Sequence, residues 1–157
     1  MTVPECAYVA GIIDGEGSVC ACVMEGDTRP RINTSLQIVT TSPDLAGYIA
    51  ATTGVGSVGQ IVKKDAAGHQ VGRTLYRWIA GSMNAHAVLR QVSPYLVIKK
   101  QQAEWFMELS EIKTHSYGHH RHNPRRQLEL CLLLYQSSIK GRRSTRMHQV
   151  AEMLANA

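Results

Sequence analysis

The segment from Cys6 to Gly15 constrains the fold of this chain more than any other. It reads CAYVAGIIDG and is apolar on nearly all sides of a helix, and a helix without a polar face must be buried. Gly11 and Gly15 lie four residues apart on one face, where the backbone of another helix can approach closely. Gly15 and Gly17 mark the expected end of the helix. The sequence therefore predicts a buried helix that a second helix can contact.

Two stretches of alternating apolar and polar residues predict two β-hairpins. In the first, residues 18–24 and 31–38 alternate with period two around a turn at residues 25–27, which is typical of half-buried strands. In the second, GSVGQIVKK and QVGRTLYRWIAG flank a turn near residues 65–68. Each hairpin is expected to have one apolar face and one polar face.

Helices are predicted between and after the hairpins. Ser42 at a cap position, followed by Pro43, begins a helix that runs to about Thr53 and stops at Gly54. Further helices are expected over about residues 83–92 with Ser82 as the cap, 95–113, 124–139 and 147–156. The order of helix, hairpin, helix, hairpin and helices predicts an α+β fold with antiparallel strand pairs.

Length and composition limit the class of protein. The 157 residues fit one domain, with a core over about residues 5–113 and a basic loop and C-terminal helices over about 114–157. No apolar run is long enough for a membrane span, and the N-terminus lacks the basic region of a signal peptide. Four cysteines are too few for a disulfide framework, which favours a reducing compartment. Arg outnumbers Lys by 11 to 6, which favours a bacterial cytoplasm over an A·T-rich organelle such as a chloroplast or mitochondrion.

Cations are concentrated in the last quarter of a chain whose formal net charge is +5. Such clusters are the electrostatic footprint of a nucleic-acid binder, and a solvated basic surface is the alternative interpretation. The clustered cations are Arg121, Arg125, Arg126, Lys140, Arg142, Arg143 and Arg146, beside His119, His120 and His122.

The nine residues VAGIIDGEG, Val9 to Gly17, resemble the LAGLIDADG motif of homing endonucleases in the type of residue at every position. The resemblance extends to about residues 7–140. GVGSV at 54–58 resembles the junction between the second helix and its following strand, YRWIAG at 76–81 resembles the fourth strand, and PYLVIK at 94–99 resembles a helix start with a basic residue. This resemblance implies an αββαββα fold whose antiparallel sheet forms a saddle in the major groove of double-stranded DNA.

The resemblance also implies an activity. LAGLIDADG proteins of this type cleave both strands of a long pseudo-palindromic DNA site with Mg²⁺, and Mn²⁺ or Ca²⁺ can replace Mg²⁺ for binding. The chain contains one copy of the motif, so two chains would be needed. The family implies a homodimer through the motif helix, and neither a membrane nor a small-molecule substrate is expected. The dimer contact is expected at Tyr8, Gly11, Ile12 and Gly15.

The family assigns roles to residues near the end of the motif. Glu16, with Gly15, would hold the metal ion, whereas Asp14 would be structural. Lys99 matches the lysine of the catalytic pocket, and Thr40 falls where the family often has a Gln that positions solvent. Two helices packed through Gly11 and Gly15 would bring two Glu16 carboxylates together at electronegative helix ends, which attract cations.

DNA contacts are expected from side chains opposite the apolar face of each strand. The predicted set is Ser18, Cys20, Cys22, Met24, Arg31, Asn33, Ser35, Gln37, Arg73 and Arg77, with Lys140, Arg142 and Arg143 on phosphates.

Two alternatives compete with this interpretation. A LAGLIDADG-like chain can bind DNA or RNA without cutting, as intron maturases and some transcription regulators do. Cys20 and Cys22 could bind zinc with the clustered histidines, although their spacing is better explained by one face of a strand.

Overall fold

The computed structural model describes residues 1–24, 31–115 and 124–138, and within them the chain alternates helices and strands as predicted. The elements are α1 (Val3–Glu16), β1 (Gly17–Met24), β2 (Arg31–Thr40), α2 (Pro43–Thr53), β3 (Ser57–Ile61), β4 (Leu75–Gly81), α3 (Ser82–Val92), a 3₁₀ turn (Ser93–Tyr95), α4 (Lys100–His115) and α5 (Pro124–Ser138). The predicted α+β class is confirmed.

The four strands form one antiparallel sheet in the order β1-β2-β4-β3. The two hairpins join through β2 and β4, where Ile38 lies opposite Trp78. The turn predicted near residues 65–68 is present, because the Gly68 amide donates to the Asp65 carbonyl at 3.1 Å. The turn predicted at 25–27, the loop at 116–123 and the last helix at 147–156 lie outside the described residues.

Trp78 anchors the core, which lies between the sheet and the helices. Its ring is fully buried, and its Nε1 donates to the Val55 carbonyl at 3.0 Å. A Cβ on Gly56 would lie 2.7 Å from that Nε1, and Gly56 has φ +85, so only glycine fits there. This contact is the physical reason for the GVGSV pattern at residues 54–58. In the described part of the chain, no helix is long and apolar enough to cross a membrane.

The motif helix α1 is longer and less buried than its apolar sequence predicts. It begins at Val3, because Thr2 and Glu5 form a reciprocal capping box. Its inner side is buried, but its outer side is exposed, with Tyr8 54% exposed. The prediction of a helix buried all round is therefore wrong for a single chain, since the sheet and α3 cover one side only.

The start and end of α2 follow the predicted signals. The Ser42 hydroxyl accepts the Leu45 amide at 3.2 Å, and the helix ends at Gly54 with φ 67. Both signals are local, so they are visible in the sequence.

Three other boundaries were predicted wrongly. Ser82 is the first residue of α3 instead of its cap, and Gly81 occupies the cap position without a side-chain hydrogen bond. Helix α4 begins at Lys100 instead of residue 95, because a 3₁₀ turn and a bend at residues 97–99 precede it. The strands of the second hairpin are shorter than predicted, since β3 ends at Ile61 and β4 begins at Leu75.

One of the clustered cations, Arg126, joins α5 to α4, and a second, Arg125, pairs with an acid within α5. The Arg126 guanidinium donates to both carboxylate oxygens of Glu108 on α4, at 2.7 and 2.8 Å, which is a bidentate ion pair. These hydrogen bonds to Glu108 raise the pKa of Arg126 further. Arg125 lies 3.4 Å from Glu129 within α5. Arg126 is therefore engaged in fixing α5 against α4, whereas Arg125 stays exposed, and its membership of the basic cluster stays a prediction.

Gly17 should be indispensable at the junction of α1 and β1. A Cβ there would lie 2.6 Å from the Ile13 carbonyl oxygen, so Gly17→Ala forces backbone to move and should cost about 1–3 kcal/mol of the free energy of unfolding. Denaturant unfolding measures the loss. Gly47→Ala in α2 is the matched control, since a Cβ at Gly47 meets nothing within 4 Å. Equal stability of the two variants would contradict the proposed close contact.

Candidate nucleic-acid interface

The sheet has two faces of opposite character. Side chains such as Val19, Leu36 and Ile38 point into the core and are fully buried. The opposite side, called here the open face, carries exposed or half-exposed side chains along β1 and β2. Its members on these strands are Ser18, Cys20, Cys22, Met24, Asn33, Ser35 and Gln37. The predicted alternation places all seven on this face, and the side chain of Arg31 lies outside the described part.

Pairing across the two strands groups these side chains into rows. Ser18 lies opposite Gln37, and Cys20 lies opposite Ser35. Gln37 Nε2 donates to Ser35 Oγ at 3.0 Å. Hydroxyl and amide groups of this kind can both donate to and accept from base edges in the major groove. In its described side chains, this half of the open face is neutral and rich in hydrogen-bonding groups.

The second hairpin brings cations to the other half of the sheet. Arg77 is exposed on β4, opposite in direction to the buried Trp78, as predicted. Arg73 is exposed but precedes β4, so the structure does not place it on the same strand face. Lys63 and Lys64 are exposed near the hairpin tip and were missed by the sequence reasoning. Their signal was a Lys pair between two strands, a position suited to phosphate contacts.

The register also adds open-face residues that the sequence reasoning left out. Ser57 on β3 lies opposite Ile79 on β4, and Gly59 lies opposite Arg77. These positions follow from the direction of Trp78, so counting outward from that tryptophan could have found them.

The C-terminal end of α1 meets the start of β1 beside the open face. Glu16 is the last residue of α1, and its side chain is exposed. Asp14, two residues earlier, turns instead toward the chain before α4, where its carboxylate accepts the amides of Val97 at 2.8 Å and Lys99 at 2.9 Å. Lys99 Nζ donates to the Asp14 carbonyl oxygen. The structure thus places the Lys99 ammonium at the backbone of Asp14, which precedes Glu16 by two residues.

Asp14 and Glu16 have different electrostatic surroundings. Partial burial opposes ionisation of Asp14, but hydrogen bonds from the backbone amides of Val97, Lys99 and Ile98, together with the charge of Lys99, hold its pKa below the usual range. Asp14 is therefore ionised and committed to contacts inside the chain, whereas Glu16 faces outward. This arrangement supports a structural Asp14 and leaves Glu16 as the accessible carboxylate.

Thr40 lies at the end of β2, opposite Tyr76. Its Oγ1 accepts the Ser42 amide at 3.1 Å, just before α2. The hydroxyl is thus engaged in a local turn, and its assignment as a residue that positions solvent stays a prediction.

The predicted dimer residues share the outer side of α1. Gly11 and Gly15 are exposed and Ile12 is half-buried. The Tyr8 ring contacts Tyr48 of α2 edge-to-face, with centroids 5.4 Å apart. The outer side of α1 is thus a flat strip of small residues with aromatic rings at one end.

No metal-binding cluster exists within one chain, as far as the described residues extend. They contain no group of three or more His, Cys, Asp or Glu side chains that could hold an ion. The zinc alternative also needs the clustered histidines, which lie outside the described residues, so it stays an alternative interpretation of Cys20 and Cys22. His119, His120, His122, Lys140, Arg142 and Arg143 lie outside the described residues.

Solved structures with this architecture are LAGLIDADG homing endonucleases. The archaeal intron-encoded enzyme I-Vdi141I, complexed with DNA, matches with a TM-score of 0.73 and 19% identity, over 97% of this chain and 95% of that chain. I-CvuI, in complex with its target in the presence of Ca²⁺, matches with a TM-score of 0.70 and 19% identity, over 98% and 94%.

Some longer proteins match over part of their length. The meganuclease I-CpaMI, bound to uncleaved DNA, matches with a TM-score of 0.66 and 16% identity, over 96% of this chain and 48% of that chain. No protein-family model and no curated protein sequence matches the chain. The chain therefore has the LAGLIDADG homing endonuclease fold, and the fold implied by its motif is confirmed.

The cysteines should report which face binds DNA. Cys22 is exposed, whereas Cys6 and Cys131 are buried, and burial raises the pKa of Cys131 to about 12. Since the thiolate is the reactive form, a thiol reagent at pH 8 should label Cys22 first and Cys131 only after unfolding. Mass spectrometry of the labelled peptides measures the order.

Duplex DNA at low salt should then protect Cys22 from labelling, and high salt should remove the protection. A free small-molecule thiol labelled in the same DNA and salt solutions is the control, because Cys6 and Cys131 are buried. Unchanged labelling of Cys22 at saturating DNA would show that the open face is not the interface.

Proposed function

We propose that this chain is a homing endonuclease that cleaves both strands of a long, pseudo-palindromic DNA site as a homodimer with divalent metal. One observation carries the proposal. The exposed carboxylate of Glu16 ends α1 where the open face begins, and Lys99 Nζ lies on the carbonyl of Asp14, two residues away. Beside a sheet that could bind DNA, a carboxylate can hold a divalent metal ion and a lysine can stabilise the charge that develops on a phosphate during hydrolysis.

A second copy of the chain supplies what one copy lacks. The chain matches nearly all of I-Vdi141I but only 48% of I-CpaMI, so a chain of this length holds one such unit. A Cβ at either Gly11 or Gly15 would meet nothing within 4 Å, which leaves room for the backbone of another helix. Two α1 helices packed along this strip would place two Glu16 side chains near the same two-fold axis.

The donor set at the end of α1 fits Mg²⁺. Each chain offers the Glu16 carboxylate and the neighbouring Gly15 carbonyl, both oxygen donors, and Mg²⁺ is usually held by one or two carboxylates together with substrate phosphates. When bound, the ion would activate water and stabilise charge on the phosphate.

Other residues of the chain would stabilise charge in the reaction, read base edges and contact phosphates. Lys99 would stabilise the negative charge that develops at the scissile phosphate. Ser, Asn and Gln side chains of the open face would read base edges, and Lys63, Lys64, Arg73 and Arg77 would contact phosphates. The predicted phosphate contacts from Lys140, Arg142 and Arg143 belong to the same proposal.

The free cysteines support the proposed cellular compartment. All four are free, which fits a reducing compartment such as the bacterial cytoplasm. We extend the proposal to the whole chain, with residues 1–157 acting as one endonuclease domain.

Glu16→Gln tests the proposed metal ligand. The amide keeps the shape of the side chain but is a poor Mg²⁺ ligand, so cleavage should fall by at least about a thousandfold while DNA affinity persists. The substrate is duplex DNA in which the sequences flanking the gene are joined, assayed with and without Mg²⁺. Glu104→Gln, an exposed acid on α4, is the matched control.

Three outcomes separate the possible functions. Cleavage by Glu16→Gln at the wild-type rate would exclude Glu16 as the ligand. Tight, sequence-preferring binding without Mg²⁺-dependent cutting by the wild type would favour a maturase or a regulator. Weak binding that salt removes without sequence preference would leave only a basic surface.

Gly11→Glu tests the proposed dimer interface. The new side chain has room on an isolated chain but would bury an unpaired charge between two helices, which is strongly unfavourable. Sedimentation should therefore show the mass of one chain instead of two, with the far-ultraviolet circular dichroism unchanged. Ala66→Glu adds the same charge to an exposed turn of the second hairpin and should stay dimeric. A dimeric Gly11→Glu protein would contradict the α1 interface.

A further inference from the structure

The stretch that carries Lys99 has few side-chain anchors of its own. Between the 3₁₀ turn and α4, Leu96 is buried, but Val97 is 84% exposed and Ile98 is 74% exposed. The Leu96 amide donates to the Ser93 carbonyl at 3.3 Å. Apolar packing therefore fixes the first residue of this stretch and contributes little to the next two.

Asp14 supplies the missing anchor. Its Oδ2 accepts the Val97 amide at 2.8 Å, and its Oδ1 accepts the Lys99 amide at 2.9 Å. Both carboxylate oxygens are thus used on a segment more than 80 residues away in sequence. The bonds are charge-assisted and short, so they are stronger than ordinary backbone hydrogen bonds.

The same residue also holds the other end of Lys99. Lys99 Nζ donates to the Asp14 carbonyl oxygen at the C-terminal end of α1, where the helix dipole favours a cation. A lysine side chain has four flexible bonds and rarely keeps one position on a surface. Here its backbone amide is held by the Asp14 carboxylate and its ammonium by the Asp14 carbonyl.

We infer that Asp14 is a positioning residue for Lys99, fixing that ammonium at the end of α1 beside Glu16; the inference rests on the proposed nuclease function. Asp14 touches neither DNA nor metal in this scheme and acts through Lys99 alone. A plain helix cap is the competing role, because the Lys99 carbonyl accepts the amide of Ala103, in the first turn of α4, at 2.9 Å. The two roles differ in whether the effect of Asp14 on cutting depends on Lys99.

A double-mutant cycle separates them. In Asp14→Asn one oxygen becomes an amide donor that faces a backbone amide, so one hydrogen bond is lost. Cutting should slow by about tenfold to a hundredfold, with DNA affinity changed by less than about threefold. In a Lys99→Met background, which should itself cut slowly, the same change should have little further effect. Asp44→Asn, at the start of α2, is the matched control and should leave the rate unchanged.

Asp14→Glu is a second variant, more conservative than Asp14→Asn, that tests the helix-cap role directly. It keeps the negative charge at the start of α4 but moves the carboxylate by one methylene. A cap acting through charge would be preserved, whereas positioning would be lost and cutting would slow. Full activity of Asp14→Glu, or an equal effect of Asp14→Asn with and without Lys99, would overturn the inference.

Two measurements do not depend on cutting. Amide hydrogen exchange at Val97 and Lys99 should accelerate in Asp14→Asn, while exchange at Leu36 stays slow. The Lys99 Nζ resonance, assigned by its absence in Lys99→Met, should shift. If wild-type protein fails to cut, the proposed function fails, and these two readouts still decide whether Asp14 holds Lys99. Unchanged exchange and an unshifted resonance would refute that contact.

Discussion

The rest of the molecule depends on α1 having one side buried in the core and the other side exposed. Val9, Ala10 and Ile13 are fully buried against the sheet and its covering helices, so this side fixes the helix in the core. The small residues of its outer side leave a flat, exposed strip. Because both sides of α1 are nearly apolar, one side can pack into the core of its own chain while the other side remains an exposed surface that water stabilises poorly. This exposed strip is the surface through which the proposed dimer would form.

The position of the open face follows from how α1 ends. Gly17 is the last cap and the first strand residue, and its amide donates to the Ile13 carbonyl. That tight junction turns the chain directly into β1 with no loop between. The acid at the helix end therefore lies at a fixed place relative to the polar rows of the sheet. A loop of even a few residues would separate the acid from the surface that is proposed to hold DNA.

The sequence predicts the features of this fold that depend on near neighbours. Period-two alternation identified the strand faces, and Ser42 and Gly54 marked both ends of α2, because each signal acts within a few residues. The start of α4 was missed because a carboxylate more than 80 residues earlier in the chain holds the amides of Val97 and Lys99. Helix propensity alone would have continued the helix back to Tyr95. The small residues on the outer side of α1 were identified, but their exposure in a single chain was not, since an apolar pattern does not say how many sides of a helix the same chain can cover.

The candidate site shows why two acids two residues apart have different roles. Successive helical residues turn by about 100°, so Asp14 and Glu16 point about 200° apart and cannot serve one ligand from one helix. Asp14 faces its own chain, where backbone amides stabilise its negative charge, and Glu16 faces outward. The solved structures that share the fold are only 16–19% identical to this chain, so the fold is kept with few identical residues. In this chain the inward acid holds the amides of the Lys99 segment, and in the proposed function the outward acid would hold the metal ion while a second helix would approach the small residues of α1.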